Sequence, residues 1–313
     1  MKYDTIIIGG GVSGFGAAIY AGRFQMKTAI VAEKKGGTII LTNDIANYPG
    51  FKQITGMDLA GKLEDHVKEY GVEIIEKKVT KIEKCPEGCF RVFTGDKSLH
   101  TRTIIFATGT EYRKLNVPGE EEFTGKGVHY CALCDGTFYK DKIIGVVGGS
   151  DSAAKEALLL TEYGKKVYII YRKDKIRAEP INLKKVKENK KIEIIPNTNV
   201  KEVKGDKFVN GVVFDKPYKG SKEFKLDGLF VEIGHLPISN LAKSVGVKLN
   251  QKNEIAIDRD SKTNIKGIFA AGDVVDTKFK QAITGVAEGV TAAYATYHYL
   301  NDTPIICGCS DDE

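Results

Sequence analysis

Short apolar runs, each closed by a glycine-rich turn, set the pattern of this chain. Thr5-Ile6-Ile7-Ile8 ends on Gly9 with no polar residue alternating through it, which predicts a strand buried on both faces. Thr28 to Ala32 is a second such run and ends at Glu33; Ile143 to Val147 and Val167 to Ile170 repeat the arrangement further on. Val79 to Glu83 and Phe90 to Val92 read as two strands joined by the turn Cys85-Pro86-Glu87-Gly88-Cys89. The stretch from Thr5 to Gly22 is uncharged, and on length alone it resembles a membrane span. Its six glycines (9, 10, 11, 14, 16 and 22) instead predict a strand, a turn and a helix start.

Composition narrows the class. A chain of 313 residues suggests two domains at about 150 residues each. With 42% hydrophobic and 28% charged residues it is neither disordered, collagenous nor membrane-embedded. A chain this long buries about three quarters of its unfolded surface and needs no disulfide to stay folded. Its six cysteines are therefore available for chemistry. The net charge of +6 is mild, and the densest basic stretch (Lys184, Lys185, Lys187, Lys190, Lys191) has no interleaved aromatics. It reads as a solvated helix face, not a nucleic-acid surface, while the scattered lysines suit encounter with an acidic protein. No basic n-region, long apolar core or cleavage site follows Met1, so a cytoplasmic protein is expected.

The first apolar run leads into Gly9-Gly10-Gly11-Val12-Ser13-Gly14, followed by Ala17-Ala18. In a strand, turn and helix of this kind Gly9 makes the turn and Gly11 lets backbone reach a pyrophosphate. Gly14 lets helix and strand pack closely, and the helix N-terminus faces the negative charge. Glu33 comes 22 residues after Gly11, where an acid accepts hydrogen bonds from an adenosine ribose. The same grammar returns at Gly148-Gly149-Ser150-Asp151-Ser152-Ala153, with Arg172 22 residues after Ser150. Arg172, Lys173 and Arg177 attract a 2′-phosphate, whereas Glu33 prefers a free 2′-hydroxyl. The first motif therefore suits FAD and the second NADPH. Ser150 fills the slot of the second fingerprint glycine, so a Cβ stands where backbone approaches phosphate and its hydroxyl becomes a candidate phosphate ligand.

Between the two motifs lies Cys131-Ala132-Leu133-Cys134-Asp135-Gly136. Cysteines at i and i+3 can close a disulfide within one helical turn, and a helix start favours the thiolate. Structural zinc asks for four ligands, and neither a second CxxC nor a suitably spaced histidine pair is present, so no metal is expected and a redox couple is. Asp135 is placed to carry protons as the dithiol opens and closes. His129 is near enough in sequence to tune a thiolate but reads as structural. Cys85 and Cys89 read as a hairpin clip or two idle thiols. Cys307-Gly308-Cys309 reads as a second exchange pair or an adventitious metal ligand.

In order and spacing these blocks resemble the low-molecular-weight thioredoxin reductases, FAD-dependent pyridine nucleotide-disulfide oxidoreductases. The likeness also rests on Gly36-Gly37, Asn47-Tyr48-Pro49-Gly50-Phe51, Ala107-Thr108-Gly109-Thr110, Gly234-His235-Leu236-Pro237, the run from Gly267 to Asp273, and Lys280-Gln281-Ala282. It implies an α/β fold of two Rossmann-like dinucleotide-binding domains, an NADPH domain (113–245) inserted in a split FAD domain (1–112 and 246–313). It further implies that Gly37, Asn47, Ala107, Thr108, Gly109, Gly234, Gly272 and Lys280 join the glycine motifs in cofactor binding. Asp273 would bind the ribityl chain, and Gln281 with Ala282 would meet the flavin ring. Cys134 would lie against the flavin, Cys131 would exchange with the partner disulfide, and Asp135 would be the acid. A homodimer and a rotation of the inserted domain belong to the same implication. The chain departs from the family at Tyr171 and Lys173, which replace a His and an Arg, at Lys280 for an Arg, and at Thr38 for a Gln.

The expected function is that of a thioredoxin-disulfide reductase, carrying electrons from NADPH through FAD and the Cys131-Cys134 disulfide to a small thioredoxin- or glutaredoxin-like protein. The alternative is a flavin-dependent dithiol reductase or oxidase with another donor or acceptor, such as ferredoxin. Arg172 and Arg177 argue against that alternative and Ser150 argues for it. A non-catalytic flavin redox sensor is the remaining class, disfavoured by the intact Cys131, Cys134 and Asp135.

Overall fold

The structure is a computed structural model that describes residues 2–42 and 45–303. The chain forms two compact units, one drawing on Met1–Glu111 and Pro237–Glu313, the other on Tyr112–Leu236. The first opens with β1 (Lys2–Gly11), α1 (Val12–Arg23), β2 (Thr28–Gly36), a 3-10 turn (Gly37–Leu41) and α2 (Gly56–Glu69). It continues through β3 (Glu73–Ile75), β4 (Lys81–Lys84), β5 (Phe90–Thr94) and β6 (Lys97–Phe106) to the crossing strand β7 (Thr110–Tyr112). The second unit runs β8 (Val128–His129), α3 (Ala132–Asp135), a 3-10 turn (Gly136–Tyr139), β9 (Ile143–Gly148), α4 (Asp151–Leu160), β10 (Lys166–Ile170) and α5 (Pro180–Glu188). After β11 (Ile192–Ile195), β12 (Val200–Gly205), β13 (Val209–Tyr218), β14 (Ser221–Lys225) and β15 (Gly228–Glu232), the chain returns along β16 (His235–Pro237). The first unit closes with α6 (Asn240–Ser244), β17 (Ile268–Ala270) and α7 (Ala282–Asp302).

The return crossing falls at 236–237, earlier than the boundary expected at 245–246. The physical reason lies in α6 and the residues that follow it: Ala242 and Val247 are buried in the first unit, in one core with Ile6, Ile8 and Val275.

In the first unit the strands run in the order β3-β2-β1-β6, all parallel, and β17 adds in parallel to the end of β6. The β4–β5 hairpin joins the remaining edge of β6 in antiparallel register. Alternation along β1 decides the layers. Ile7, with Ile30, Ile105 and Phe269, faces α1 and α7, while Ile6 and Ile8, with Ala29, Val31, Ile104 and Phe106, face the opposite core. Burying each large apolar side chain contributes about 1.5–3 kcal/mol. The second unit has a wholly parallel sheet, β11-β10-β9-β15-β8. Its α4 and α5 side packs Ile144, Val146 and Ile169, and its other side packs Val147, Ile170 and Val231 against the β12–β13–β14 meander.

Both sheets therefore put the strand before the glycine turn in the middle, with the next strand on one side and a later one on the other. Ligands of open α/β sheets bind at that reversal, outside the carboxyl ends of the strands. The uncharged run from Thr5 to Gly22 resolves into β1 and α1, and no helix among the described residues is long and apolar enough to cross a membrane. The lysine-rich stretch lies on and just after α5, where Lys184, Lys185, Lys187, Lys190 and Lys191 are all exposed.

Candidate active site

At the first reversal β1 ends on Gly11 and α1 begins at Val12. Gly9 holds φ of +117°, and a Cβ there would strike the Ala107 carbonyl; a Cβ on Gly14 would strike the Gly9 carbonyl. Gly11 is different. Its φ is −84°, open to any residue, and a Cβ would meet only Gly37 Cα at 3.8 Å and Gly36 O at 3.9 Å. The fold itself does not require glycine at that point, and the space beside it is open. No side chain caps α1 and no acid stands in its first turn. Its leading N–H groups are thus available to an anion. These features fit the pyrophosphate of FAD.

Other expected residues gather at the same strand ends. The Ala107 N–H donates to Ile8 O at 2.8 Å, Thr108 Oγ1 donates to Ile238 O at 2.6 Å, and Ile238 N–H donates to Gly109 O at 3.0 Å. A Cβ on Gly37 would come 2.9 Å from Gly11 Cα, so these two backbones nearly touch. Ser13 is buried, with Gly285 and Gly272 close against its hydroxyl. Strand β2 runs on past Glu33 to Gly36, through a register shift opposite Ile8 and Gly10; Glu33 is exposed and lies 3.5 Å from Lys78 Nζ. Asn47 Nδ2 donates to Gln281 Oε1 at 3.0 Å, joining two expected residues 234 positions apart. Gln281 precedes Ala282 at the start of α7, and its N–H donates to Thr284 Oγ1. Lys280 Nζ donates to Glu254 Oε1 at 2.6 Å and Asp273 O at 2.8 Å, so its charge ties the entry of α7 to the Gly272-Asp273 turn.

The second reversal is built alike but furnished differently. Ser150 Oγ caps α4, accepting the Ala153 N–H at 3.4 Å. Asp151 is turned toward α5: its carboxylate accepts from Glu179 N–H and Asn182 Nδ2, each at 2.8 Å, and pairs with Lys155 at 3.1 Å. Burial pushes that carboxyl up, but the three partners outweigh it and leave it below the usual range. Ser152 is exposed and Ala153 fully buried. The Arg177 N–H donates to Gly149 O at 2.6 Å, which seats the basic segment on the glycine turn. Arg172, Lys173 and Arg177 are exposed, while the Tyr171 ring is buried over Gly149 where a Cβ would overlap it. Tyr171 therefore serves as packing in its departure from the family pattern. At Gly148 a Cβ would strike the Glu232 carbonyl, and the Gly234 carbonyl accepts the Arg113 N–H at 3.0 Å. The exposed cations beside a helix start fit a dinucleotide carrying a 2′-phosphate.

Cys131 and Cys134 form a disulfide with their Cα atoms 5.4 Å apart. Cys131 is buried and caps α3; Cys134 is exposed. The helix start expected here is a single four-residue turn, too short for an appreciable macrodipole. Individual N–H groups do its work: Cys134 N–H donates to Cys131 Sγ at 3.1 Å, and Ala132 N–H donates to Glu156 Oε2 at 2.9 Å. Asp135 Oδ2 lies 3.0 Å from His129 Nδ1, and His129 Nε2 lies 2.7 Å from the Tyr139 hydroxyl.

Two residues here escaped the sequence reading. Glu156 on α4 is half-buried beside Asp135, and Glu232 at the end of β15 is buried in the field of Glu156; each neighbouring carboxylate raises the pKa it faces. Burial is the larger cause for both, pushing Glu156 to about 7 and Glu232 to about 9. Glu232 Oε1 has no hydrogen-bond partner among the described residues. The available signal was a carboxylate ending the apolar run Gly228 to Glu232. Cys85 and Cys89 are buried at the β4–β5 turn, their sulfurs and a Glu87 oxygen lying within 4.8 Å of one another. Cys307 and Cys309 lie outside the described residues.

The sequence pattern of the pyridine nucleotide-disulphide oxidoreductase family matches residues 3–289. The chain is 38% identical over 311 residues to the thioredoxin reductase of Bacillus subtilis, covering 96% of this chain and 95% of that one. Among solved structures, Lactococcus lactis thioredoxin reductase superposes with a TM-score of 0.92 at 38% identity, over 96% of this chain and 100% of that chain. The T. acidophilum thioredoxin reductase gives 0.89 at 36%, over 95% and 98%.

Proposed function

Since the chain belongs to the pyridine nucleotide-disulphide oxidoreductase family, and within it to the thioredoxin reductases, we propose that it is an NADPH-dependent reductase of a small thioredoxin- or glutaredoxin-like protein. The observation that carries the reading is the closed Cys131–Cys134 disulfide in a unit whose own nucleotide turn is ringed by exposed cations. The open turn at Gly11 and the uncapped start of α1 would hold the FAD pyrophosphate, with Glu33 on the ribose hydroxyls. Asp273, Gln281 and Ala282 would line the rest of that site, steadied by the Asn47 and Lys280 hydrogen bonds. FAD, when bound, supplies the exchange of electrons between a nicotinamide and a dithiol. Arg172, Lys173 and Arg177 would select NADPH over NADH.

The reduced pair acts by thiol–disulfide exchange. The Cys131 thiolate attacks one sulfur of the partner disulfide, forming a mixed disulfide and expelling the partner's other sulfur as a thiolate. Cys134 gives its proton to Asp135, and its thiolate attacks Cys131 Sγ, which re-forms the Cys131–Cys134 bond and frees the partner's second sulfur. The enzyme begins as one thiolate and one thiol and ends as a disulfide, and the partner ends as one thiol, carrying the Cys134 proton, and one thiolate, so charge and electrons balance. Because Cys131 is buried here, exchange requires it to become uncovered. The enzyme would work as a homodimer whose second unit rotates about its two crossings, in a reducing compartment such as the cytoplasm.

Anaerobic titration of the purified flavoprotein tests the reading. NADPH should bleach the flavin absorbance at far lower concentration than NADH, and oxidised thioredoxin should restore it. A protein that stays yellow in NADPH but bleaches with reduced ferredoxin would refute the NADPH assignment.

A further inference from the structure

His129 stands two residues before Cys131, at the end of β8, and its imidazole is held on every side. It is buried, stacks on Phe230 of β15 at 5.2 Å between centroids, and meets the Tyr139 ring edge-on at 5.4 Å. Both ring nitrogens are used. Nδ1 lies 3.0 Å from Asp135 Oδ2, and Nε2 lies 2.7 Å from the Tyr139 hydroxyl. Tyr139 is pushed up to about 12, first by burial and then by Asp135 and Asp227, so it keeps its proton at neutral pH. Burial pushes the imidazole down, more than the facing Asp135 carboxylate raises it, which favours the neutral ring. Only one arrangement then satisfies both contacts: Tyr139 O–H donates to Nε2, and Nδ1–H donates to the Asp135 carboxylate. Glu156 also stands in the field of Asp135, and its Oε2 already accepts the Ala132 N–H.

We propose that His129 is the positioning residue of the dithiol centre, holding the Asp135 carboxylate through Nδ1–H in the orientation from which it takes the Cys134 proton and returns it to the partner's departing sulfur. The inference rests on the reductase reading above. Its chemistry is a transfer of one proton from Cys134 Sγ to the Asp135 carboxylate and from there to the expelled thiolate, with no change in the electron count of the exchange. Nδ1–H stabilises the carboxylate each time the proton leaves it, a charge-assisted hydrogen bond stronger than a neutral one. Tyr139 keeps the ring in the donor tautomer, and Phe230 keeps it in plane.

The test uses the holoenzyme with NADPH and two disulfides, an oxidised thioredoxin and the aromatic disulfide 5,5′-dithiobis(2-nitrobenzoate). The aromatic thiolate is a weak base that departs without a proton, so its reduction has little need of a held acid. His129→Ala should lower kcat on thioredoxin about tenfold with KM unchanged, within the range of acid–base contributions. It should leave aromatic disulfide reduction within about twofold, and the thioredoxin rate of the variant should fall more steeply with rising pH as solvent protons become scarcer. His129→Asn, whose amide nitrogen stands near the place of Nδ1, should recover most of the rate; His129→Gln, which keeps only the Tyr139 contact, should not. Wild-type kcat and pH profile in His129→Ala would overturn the inference, as would a parallel loss on both disulfides that Asn fails to rescue. If the wild-type enzyme turns over neither disulfide, the reductase reading falls first and this inference with it.

Discussion

The contrast between Gly11 and Gly14 gives a test that separates a fold from a ligand site. In Gly14→Ala the new methyl would overlap the Gly9 carbonyl oxygen and come within 3.0 Å of its carbon, so α1 must shift off the sheet. Overpacking of this kind costs about 1–3 kcal/mol or more. In Gly11→Ala the methyl meets nothing nearer than 3.8 Å, at a φ that alanine adopts freely. The apoprotein should therefore keep its stability, or gain about 0.4–1 kcal/mol from a less flexible unfolded chain. The same methyl fills the space through which a pyrophosphate approaches the start of α1. A hydrogen bond to a charged group contributes about 1.5–3 kcal/mol, so losing one should raise the Kd for FAD about 10–150-fold. The measurements are thermal unfolding of the flavin-free proteins and fluorescence titration of each with FAD. Wild-type FAD affinity in Gly11→Ala would refute the assignment of this turn to the pyrophosphate, whatever Gly14→Ala does.

Cys134→Ser should leave flavin bound and bleachable by NADPH yet abolish turnover with thioredoxin; retained turnover would remove Cys134 from the exchange. Arg172→Ala should raise KM for NADPH about tenfold or more while leaving KM for NADH within about twofold; equal changes would end the case for 2′-phosphate recognition. Stability should decline with alkalinity. Burial, and then Glu156, raise the Glu232 carboxyl to about 9, so between pH 4.5 and pH 9 the native state holds a proton that the unfolded chain has released. The unfolded state then binds fewer protons and unfolding free energy falls as pH rises through that window. Glu232→Gln should flatten the dependence and exceed wild type at pH 9 in urea unfolding; a wild-type stability that rises from pH 5 to pH 9 would contradict the sign.

The parts of the molecule legible in the sequence are those whose physics is local. β1, β9 and β10 each carry an unbroken apolar run, and the glycine turns after β1 and β9 repeat a fixed spacing, so both nucleotide units could be read from neighbouring residues. β2 was read short, because its last residues, Lys34 to Gly36, are polar or glycine and owe their strand conformation to pairing with Gly10 and Gly11. The return crossing was misplaced for a similar reason: nothing in Asn240 to Val247 says that Ala242 will be buried beside Ile6. The dithiol centre was only half legible. Cys131, Cys134 and Asp135 announce themselves by spacing, but Glu156 reaches Ala132 across 24 residues and Tyr139 reaches His129 across 10, through contacts that only the folded unit creates.

The two nucleotide turns also differ in a way that bears on the order of binding. At the first, α1 has neither a cap nor an acid in its opening turn, so its N–H groups are unsatisfied by side chains and an anion bound there gains them whole. At the second, Ser150 already accepts the Ala153 N–H and Asp151 occupies the first turn with its own set of partners. On the proposed reading an arriving phosphate would compete with the serine cap at 3.4 Å and would be drawn mainly by the exposed Arg172, Lys173 and Arg177. One site would thus retain its ligand through backbone groups fixed in the helix, the other would attract it through exposed side-chain charges that also release it. That division is what a reductase needs when one nucleotide stays for every cycle and the other must leave after each hydride, and it follows from which helix start is capped.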